Sequence, residues 1–409
     1  MKSLMSLMQN ILADAEIWCH TSTTLDFKRI QRRVDHEGLS FLTIVLPSFC
    51  RDFERSLDEG MVTPARFVGY AKRGCLPVLL QGCTELVFDR SSGRLLDEPS
   101  VVAIFFIRQI TLAFKKIFLP CSQEREAEAF HGYVECDREV EEWVDEAPER
   151  LLDRFGNLSN TLFGNIFTAI DRKVFEGNLV PKHGPGNTAD RISGNRKFDF
   201  TVWTDRLEGS FPALDFVCPN MGFSEVLDGV GFLEPGAELP VRVVSVPKTL
   251  KTPRIIALEP LCMQYAQQSL LREFVDGLER SDFLDGSIGF TDQVPNQELA
   301  RKGSLDGSLA TLDLKDASDR VSNLLAMQLF KYHPHLASAV DNCRSARAYV
   351  PGHGIISMSK FASMGSALCF PVESMTFLTI LLDAFSTMLN RRLSNSDIRR
   401  FVGQVRVYG

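Results

Sequence analysis

The chain has no C-x-x-C pair, no internal repeat and no low-complexity tract. Its ten cysteines are scattered at 19, 50, 75, 83, 121, 136, 218, 262, 343 and 369. Several lie in apolar runs, as in Phe49-Cys50, Leu261-Cys262 and Leu368-Cys369-Phe370. That pattern excludes a disulfide framework and a zinc ribbon, and implies reduced, buried thiols in a cytosolic compartment. The opening MKSLMSLMQNILADAEIW lacks a continuous apolar segment and a small-residue cleavage site, so it reads as an amphipathic helix and not as a signal peptide. The longest apolar stretches, near 101–114 and 375–389, are interrupted by charge or too short to span a bilayer.

Positive charge is short overall: 45 Lys and Arg stand against 52 Asp and Glu, a net of −7. On the sum alone this argues against a nucleic-acid binder. The distribution says more. Residues 121–150 hold eleven acids and three arginines, a net of −8, and read as a solvated helix face. The remainder sums to +1, which leaves room for local basic clusters.

What is present is an ordinary globular composition, 44% hydrophobic and 24% charged, on 409 residues. That length predicts two or three domains, or one multi-lobed enzyme, with ample core. Residues 1–160 read as mostly helical, most clearly at Val101–Leu119 and Glu139–Phe155. KHGPGNTADRISGNRK, at 182–197, is an irregular loop made basic by Lys182, Arg191, Arg196 and Lys197 against Asp190. It is an anion-binding loop or a surface turn, and it is not a Walker loop, since no Gly-Lys-Ser/Thr follows. LPVRVVSV at 239–246 and RIIALEP at 254–260 read as strands. A helix is expected over Gln264–Asp276, with Gly277 just past its end. Leu309–Leu314 is expected to be a strand that turns Thr311 and Asp313 away from Leu312 and Leu314. A helix follows, with Val321, Leu324, Leu325 and Leu329 at helical spacing and Ser318 or Asp319 as its cap. A turn of small residues, Ser363–Ala367, precedes a long helix to about Asn390, which Pro371 opens or kinks. Gln404–Gly409 reads as a strand.

Three constellations could carry chemistry. Asp313, at a strand end, could ligate Mg²⁺, which takes oxygen donors and serves two-ion phosphoryl transfer. Equally, Asp313-Leu-Lys-Asp316-Ala-Ser318-Asp319 could be an acidic turn that complements a helix dipole. Lys248, Lys251 and Arg254, spaced by three, could neutralise a triphosphate, or form a solvated basic turn. Ser363-Met364-Gly365-Ser366-Ala367 leaves pliable backbone where a nucleotide or template strand could approach, or simply begins a helix.

In this order the pieces resemble a known family. VPKTLKTPRIIALEP at 246–260, TDQVPNQELARKGSLDGSLATLDLKDASDRVS at 291–322, SKFASMGSALCFPVES at 359–374 and the terminal VRVYG are similar to the replicase of positive-strand RNA bacteriophages, the levivirus-type RNA-dependent RNA polymerase. HGPGNTADR at 183–191 looks like a further block, and the resemblance covers about 183–409. It implies an α+β fold of right-hand polymerase architecture, with fingers, part of the palm and no thumb. The expected division is 1–182 as the helical part of the fingers, 183–303 as fingers with the basic nucleotide-binding loop, and 304–409 as palm. The palm strands bearing Asp313 and Tyr408 should lie adjacent and antiparallel.

By the same resemblance Asp313 is the first metal-binding aspartate. Asp319 is the second acid, near the incoming ribose, whose 2′-hydroxyl separates RNA from DNA precursors. Lys248, Lys251 and Arg254 resemble the basic motif over the triphosphate. Ser363 and Gly365 resemble the loop that adjusts to template and nucleotide. Glu373 and Ser374 fall where the palm helix offers a polar group to the ribose. The implied cofactors are two Mg²⁺ ions, or Mn²⁺. The implied partners are viral RNA as template and product, nucleoside triphosphates, host elongation factors Tu and Ts and a host ribosomal protein, in the host bacterial cytoplasm and without a membrane. The chain departs from the family pattern twice. Cys369 stands where many polymerases carry Thr. The third motif, Tyr-Gly-Asp-Asp in the family, stops here at Tyr-Gly, which predicts a partial reading frame and no turnover from these 409 residues alone. A catalytically inactive RNA-binding fragment and a reverse transcriptase-like palm are the alternative readings.

Overall fold

The computed structural model describes residues 2–402 and 404–408; Gly409, the last residue of the Tyr-Gly pair, lies outside them. The chain forms two compact units. One comprises the residues up to Ala129 together with Ser245–Arg254, and the other Phe130–Val244 together with the residues from Ile255 onward.

The first unit is built on four helices, α1 (Lys2–Cys19), α2 (Thr24–Glu37), α3 (Leu46–Asp58) and α4 (Val101–Leu112). In α1 the buried residues are Met5, Met8, Leu12, Ala15 and Cys19, every third or fourth position, so one stripe faces inward. That stripe packs on α4, whose Ala103, Ile107 and Ile110 are buried. Ser100 starts α4 by accepting a hydrogen bond from the Ala103 N–H at 3.2 Å. The helix ends at Leu112, short of the expected Leu119.

The second unit contains most of α5 (Gln123–Glu146) and all of α6 (Glu149–Phe175). A continuous helix was expected over Glu139–Phe155. Instead Ala147 and Pro148 divide it, because proline disfavours helical backbone in the residue before it and has no N–H to give the preceding turn. After a short parallel pair, Val202–Thr204 with Gly231–Leu233, come β1 (Val241–Val246), β2 (Arg254–Leu258), α7 (Leu261–Glu279), β3 (Ile288–Gly289), α8 (Asn323–Leu329), α9 (Pro334–Asn342), β4 (Arg347–Val350), β5 (Gly354–Ser357), α10 (Cys369–Met388) and β6 (Val407–Tyr408). The main sheet has the order β2-β1-β4-β5. β1 pairs with β4 in parallel, and β4 and β5 form an antiparallel hairpin. The class is therefore α+β. The expected strands at 239–246 and 254–260 are present as β1 and β2, and β1 buries Val241 and Val243 in alternation.

Helices α6, α7, α8 and α10 enclose the large core, where the Phe167 and Phe330 rings lie 5.1 Å apart and Phe274 and Phe330 5.8 Å apart. α10 carries Pro371 in its first turn, where a missing N–H costs nothing. α10 extends the apolar stretch read at 375–389 back to Cys369, and, against the expectation that this stretch is too short, it alone among the described residues has the length and apolarity to cross a membrane. Val372, Met375, Leu378 and Leu382 nevertheless bury one face of it in this core.

Four further expectations are corrected. Leu309–Leu314 is irregular, and Leu312 is 74% exposed. A strand exists only through a partner's ladder, and no described strand pairs with this segment. Tyr408 accordingly does not neighbour Asp313 on an antiparallel strand; the C-terminal strand shrinks to β6 and pairs in parallel with β3, Tyr408 opposite Gly289. The cap of α8 is Ser322, not Ser318 or Asp319: its Oγ accepts from the Leu325 N–H at 3.1 Å. Gly277 does not end α7 but lies within it, where a Cβ would come 2.6 Å from Ile166 Cγ2, so the glycine serves the close approach of α6.

Candidate active site

The site in the second unit begins with a single 3₁₀ turn, Ala317–Arg320, entered through Asp316 in left-handed backbone at φ +53°. The turn buries Ser318 and brings Asp319 inward. The chain then lies beside the segment 359–361. The Phe361 N–H donates to Val321 O at 2.7 Å and the Asn323 N–H to Ser359 O at 2.9 Å. This local pairing sets Lys360 and Ser363 against Asp319. Asp319 Oδ1 accepts from Lys360 Nζ at 3.0 Å and from Ser363 Oγ at 3.0 Å. The Lys360 side chain has no exposed surface and that of Asp319 keeps 20%.

Helix α5 supplies the other wall. Tyr133 and Asp137, one turn apart, both point inward. Lys360 Nζ sits 3.4 Å from the centroid of the Tyr133 ring. The Tyr133 hydroxyl lies 2.9 Å from Ser363 Oγ. Asp137 accepts the backbone N–H groups of Ser359 and Lys360 at 3.1 and 3.0 Å. Burial works against the Lys360 charge, yet the facing Tyr133, Asp319 and Asp137 outweigh it and hold the ammonium above its ordinary value.

Glu373, in the second turn of α10, stands close enough to feel this carboxylate. Burial first, and then the Asp319 charge, push it up to about 7. Its Oε2 is buried with no partner among the described residues, as are Ser374 Oγ and Thr376 Oγ1. Cys369, where a Thr hydroxyl was expected by resemblance, is a buried thiol pushed up by burial and then by Glu373 and Asp319.

The turn at Ser363–Ala367 is exposed at Gly365, as expected, but it is held and not pliable. The Ala257 N–H of β2 donates to Met364 O at 2.8 Å. Gln267 of α7 accepts from Ser366 Oγ at 3.1 Å and from the Ala367 N–H at 3.0 Å. Behind Gln267 lies Glu259, whose carboxyl is pushed up to about 7 by burial and accepts from Ser345 Oγ at 2.5 Å.

Lys248, Lys251 and Arg254 sit at and beside the β1–β2 turn, in the residues that belong to the first unit. All three are exposed, and none forms an ion pair with a described residue. The turn is stiffened by the Thr252 N–H donating to Thr249 Oγ1 at 3.2 Å and by an Arg125 guanidinium donating to Leu250 O at 2.8 Å. The 182–197 loop is irregular as expected, but part of its charge is spent inward. Lys197 is buried and donates to the Gly184 and Gly186 carbonyls at 2.6 and 2.5 Å, and Asp190 caps α7 by accepting the Leu261 N–H at 2.6 Å.

The structure thus brings Asp319, Ser363 and Glu373 together, with Ser374 next to Glu373 and Gly365 in the adjoining turn. Asp313 lies apart from any strand, exposed on the irregular segment. Among the described residues no group of three or more His, Cys, Asp or Glu side chains is placed to hold a metal ion. Sequence reasoning missed Tyr133, Asp137 and Lys360. One signal was available: Phe130, Tyr133, Asp137 and Val140 recur at helical spacing within the acid-rich stretch, which places Asp137 on the apolar stripe and off the solvated face.

A family model described as RNA replicase, beta-chain, matches residues 238–399. The RNA-directed RNA polymerase beta chain of Enterobacteria phage fr is 39% identical over 139 residues, 34% of this chain and 24% of that protein. The corresponding chain of Escherichia phage MS2 is 37% identical over 139 residues, again 34% and 24%. The RNA-directed RNA polymerase subunit beta of Qbeta virus (strain MX1) is 30% identical over 217 residues, 53% of this chain and 34% of that protein. The matched segments therefore span about a quarter to a third of these relatives' own length.

Proposed function

We propose, from the match of residues 238–399 to the RNA replicase beta-chain family and from the similarity to phage RNA-directed RNA polymerase beta chains, that the chain forms the fingers and part of the palm of a right-hand RNA-directed RNA polymerase that copies viral RNA. The observation that carries this reading is the clasped Asp319. Two donors occupy Oδ1, no described residue donates to Oδ2, and the side chain remains partly open to solvent beside Glu373. An acceptor so fixed suits a ribose hydroxyl, the group by which RNA precursors differ from DNA precursors.

In the proposed reaction the 3′-hydroxyl of the growing strand attacks the α-phosphate of an incoming nucleoside triphosphate and pyrophosphate leaves. Lys248, Lys251 and Arg254 neutralise the triphosphate, the role that cations take where charge builds up on phosphoryl oxygens. Asp319 accepts from the ribose, with Ser363, Glu373 and Ser374 around it, and Gly365 lets the turn at 363–367 run close to the sheet. Asp313 is proposed as a metal-binding carboxylate on the resemblance alone. Mg²⁺ or Mn²⁺, when bound, supplies charge neutralisation at the phosphates. Host elongation factors Tu and Ts, a host ribosomal protein and the host bacterial cytoplasm complete the proposal on the same basis.

The test is template-directed nucleotide incorporation by the full-length protein on phage RNA, with ribonucleotides and deoxyribonucleotides side by side. Ribonucleotide incorporation that Asp313→Asn abolishes while RNA binding persists is the expected result. Equal use of deoxyribonucleotides would instead indicate a reverse transcriptase-like palm, and RNA binding without incorporation an inactive RNA-binding protein.

A further inference from the structure

Lys360 is an unusual residue for its place. A buried ammonium is costly unless a partner and hydrogen bonds compensate it. Here compensation comes from two directions, with the Tyr133 ring face at 3.4 Å and Asp319 Oδ1 at 3.0 Å. A cation over a desolvated aromatic face is attracted by the ring's quadrupole. The backbone N–H of Lys360 is also fixed, by Asp137 one turn further along α5. The ammonium is therefore held at both ends of its residue.

The hydroxyls have a direction as well. Ser363 Oγ has one proton, and it points to Asp319 Oδ1 at 3.0 Å. With that proton on Asp319, the 2.9 Å contact between Ser363 and Tyr133 is donated by the tyrosine, whose hydroxyl also lies 3.6 Å from Met358 Sδ, a weaker acceptor. A relay runs Tyr133 to Ser363 to Asp319, parallel to the contact from Lys360. Both end on the same carboxylate oxygen. A carboxylate tied twice at Oδ1 cannot swing, and Oδ2 is presented in one orientation. A simple core ion pair would need neither the second donor nor a carboxylate that keeps 20% of its side chain exposed and an oxygen to which no described residue donates.

We propose that Lys360 and Tyr133 are positioning residues that hold Asp319 Oδ2 for the 2′-hydroxyl of the incoming nucleotide, so that preference for ribose over deoxyribose depends on this buried ammonium and ring. The inference rests on the polymerase reading above and deepens it. Neither residue touches the nucleotide; each acts through Asp319. Without the Lys360 charge the carboxylate is free to rotate and the ribose contact is lost part of the time. The deoxyribose substrate, which never made that contact, is little affected.

The experiment compares Lys360→Met, Lys360→Arg, Tyr133→Phe and Asp319→Ala in the full-length replicase. The readout is kcat/KM for each ribonucleotide against its 2′-deoxy form, with thermal melting as a control for folding. Asp319→Ala is expected to remove the ribose preference. Lys360→Met should lower it about tenfold, equivalent to about 1.4 kcal/mol, chiefly through a higher KM for the ribonucleotide. Tyr133→Phe keeps the ring and loses only the relay donor, and a smaller drop of about threefold is expected, roughly the weight of one neutral hydrogen bond. Lys360→Arg keeps the charge and should restore most of the preference. Where Lys360→Met does not fold, Tyr133→Phe decides the matter. Equal proportional losses on both nucleotides, or an unchanged ratio in Lys360→Met and Tyr133→Phe, overturns the inference. If Asp319→Ala loses the preference in that case, the polymerase reading stands and only the positioning role falls. If the unmodified protein incorporates neither nucleotide, both fall.

Discussion

At Gly365 the backbone has φ +130°, and a Cβ built there would lie 2.0 Å from the carbonyl oxygen of Ala257. That oxygen belongs to β2, so the obstruction is backbone and cannot step aside. Gly365→Ala is expected to destabilise the protein by about 1–3 kcal/mol, the usual cost of forcing extra volume into a packed site, and urea unfolding would read it. Lys251 and Arg254 make the opposite case. Both are exposed and without an ion-pair partner among the described residues. Lys251→Ala or Arg254→Ala should leave the melting temperature within about 1 °C, since surface charges contribute little to stability. The same variants should raise the apparent KM for nucleotide several-fold in steady-state assays; unchanged kinetics would make the loop a plain basic turn. Asp319, Ser363, Gly365 and Glu373 were singled out in the sequence by the family resemblance. Lys360, Tyr133 and Asp137 were not. Tyr133 and Asp137 come from a helix far away in the chain, and Lys360 looks like any surface lysine until its burial is known.

The elements were legible where their signal is local. β1 announces itself by alternation, α1 by a stripe at every third or fourth residue, and α10 by a long apolar run after a turn of small residues. The failures share one cause, a partner that sequence does not display. Leu309–Leu314 alternates as a strand should but has no described neighbour to bond with, and β6 paired with β3 instead. Gly277 looks like a helix stop, yet its function is to admit Ile166 of α6. Ser322, not the earlier Ser318, caps α8 because pairing of residues 321–323 with 359–361 delays the helix start. Ser322→Ala should therefore cost about 1 kcal/mol, the usual weight of a lost N-cap. Paired denaturation curves for Ser322→Ala and the parent protein check the value.

For the whole molecule the clearest expectation concerns pH. Glu259 is buried, and its carboxyl is pushed from 4.5 up to about 7. An acid raised on folding holds a proton that the unfolded chain gives up, so stability is fullest below the unfolded value and falls as pH rises between about 4.5 and 7. The loss from this one group is at most about 3 kcal/mol. Glu259→Gln keeps an acceptor for Ser345 and should flatten the fall, giving a higher melting temperature than the parent at pH 8 and a similar one at pH 5. A parallel slope in both proteins would remove Glu259 from that role. The same neighbourhood ties distant parts of the second unit together. Asp190, from the 182–197 loop, grips the first N–H of α7, and Gln267, two turns along, grips the 363–367 turn. One rod thus carries a handle at its tip and a latch on its flank. Two segments far apart in sequence, 182–197 and 363–367, are moored to the same helix.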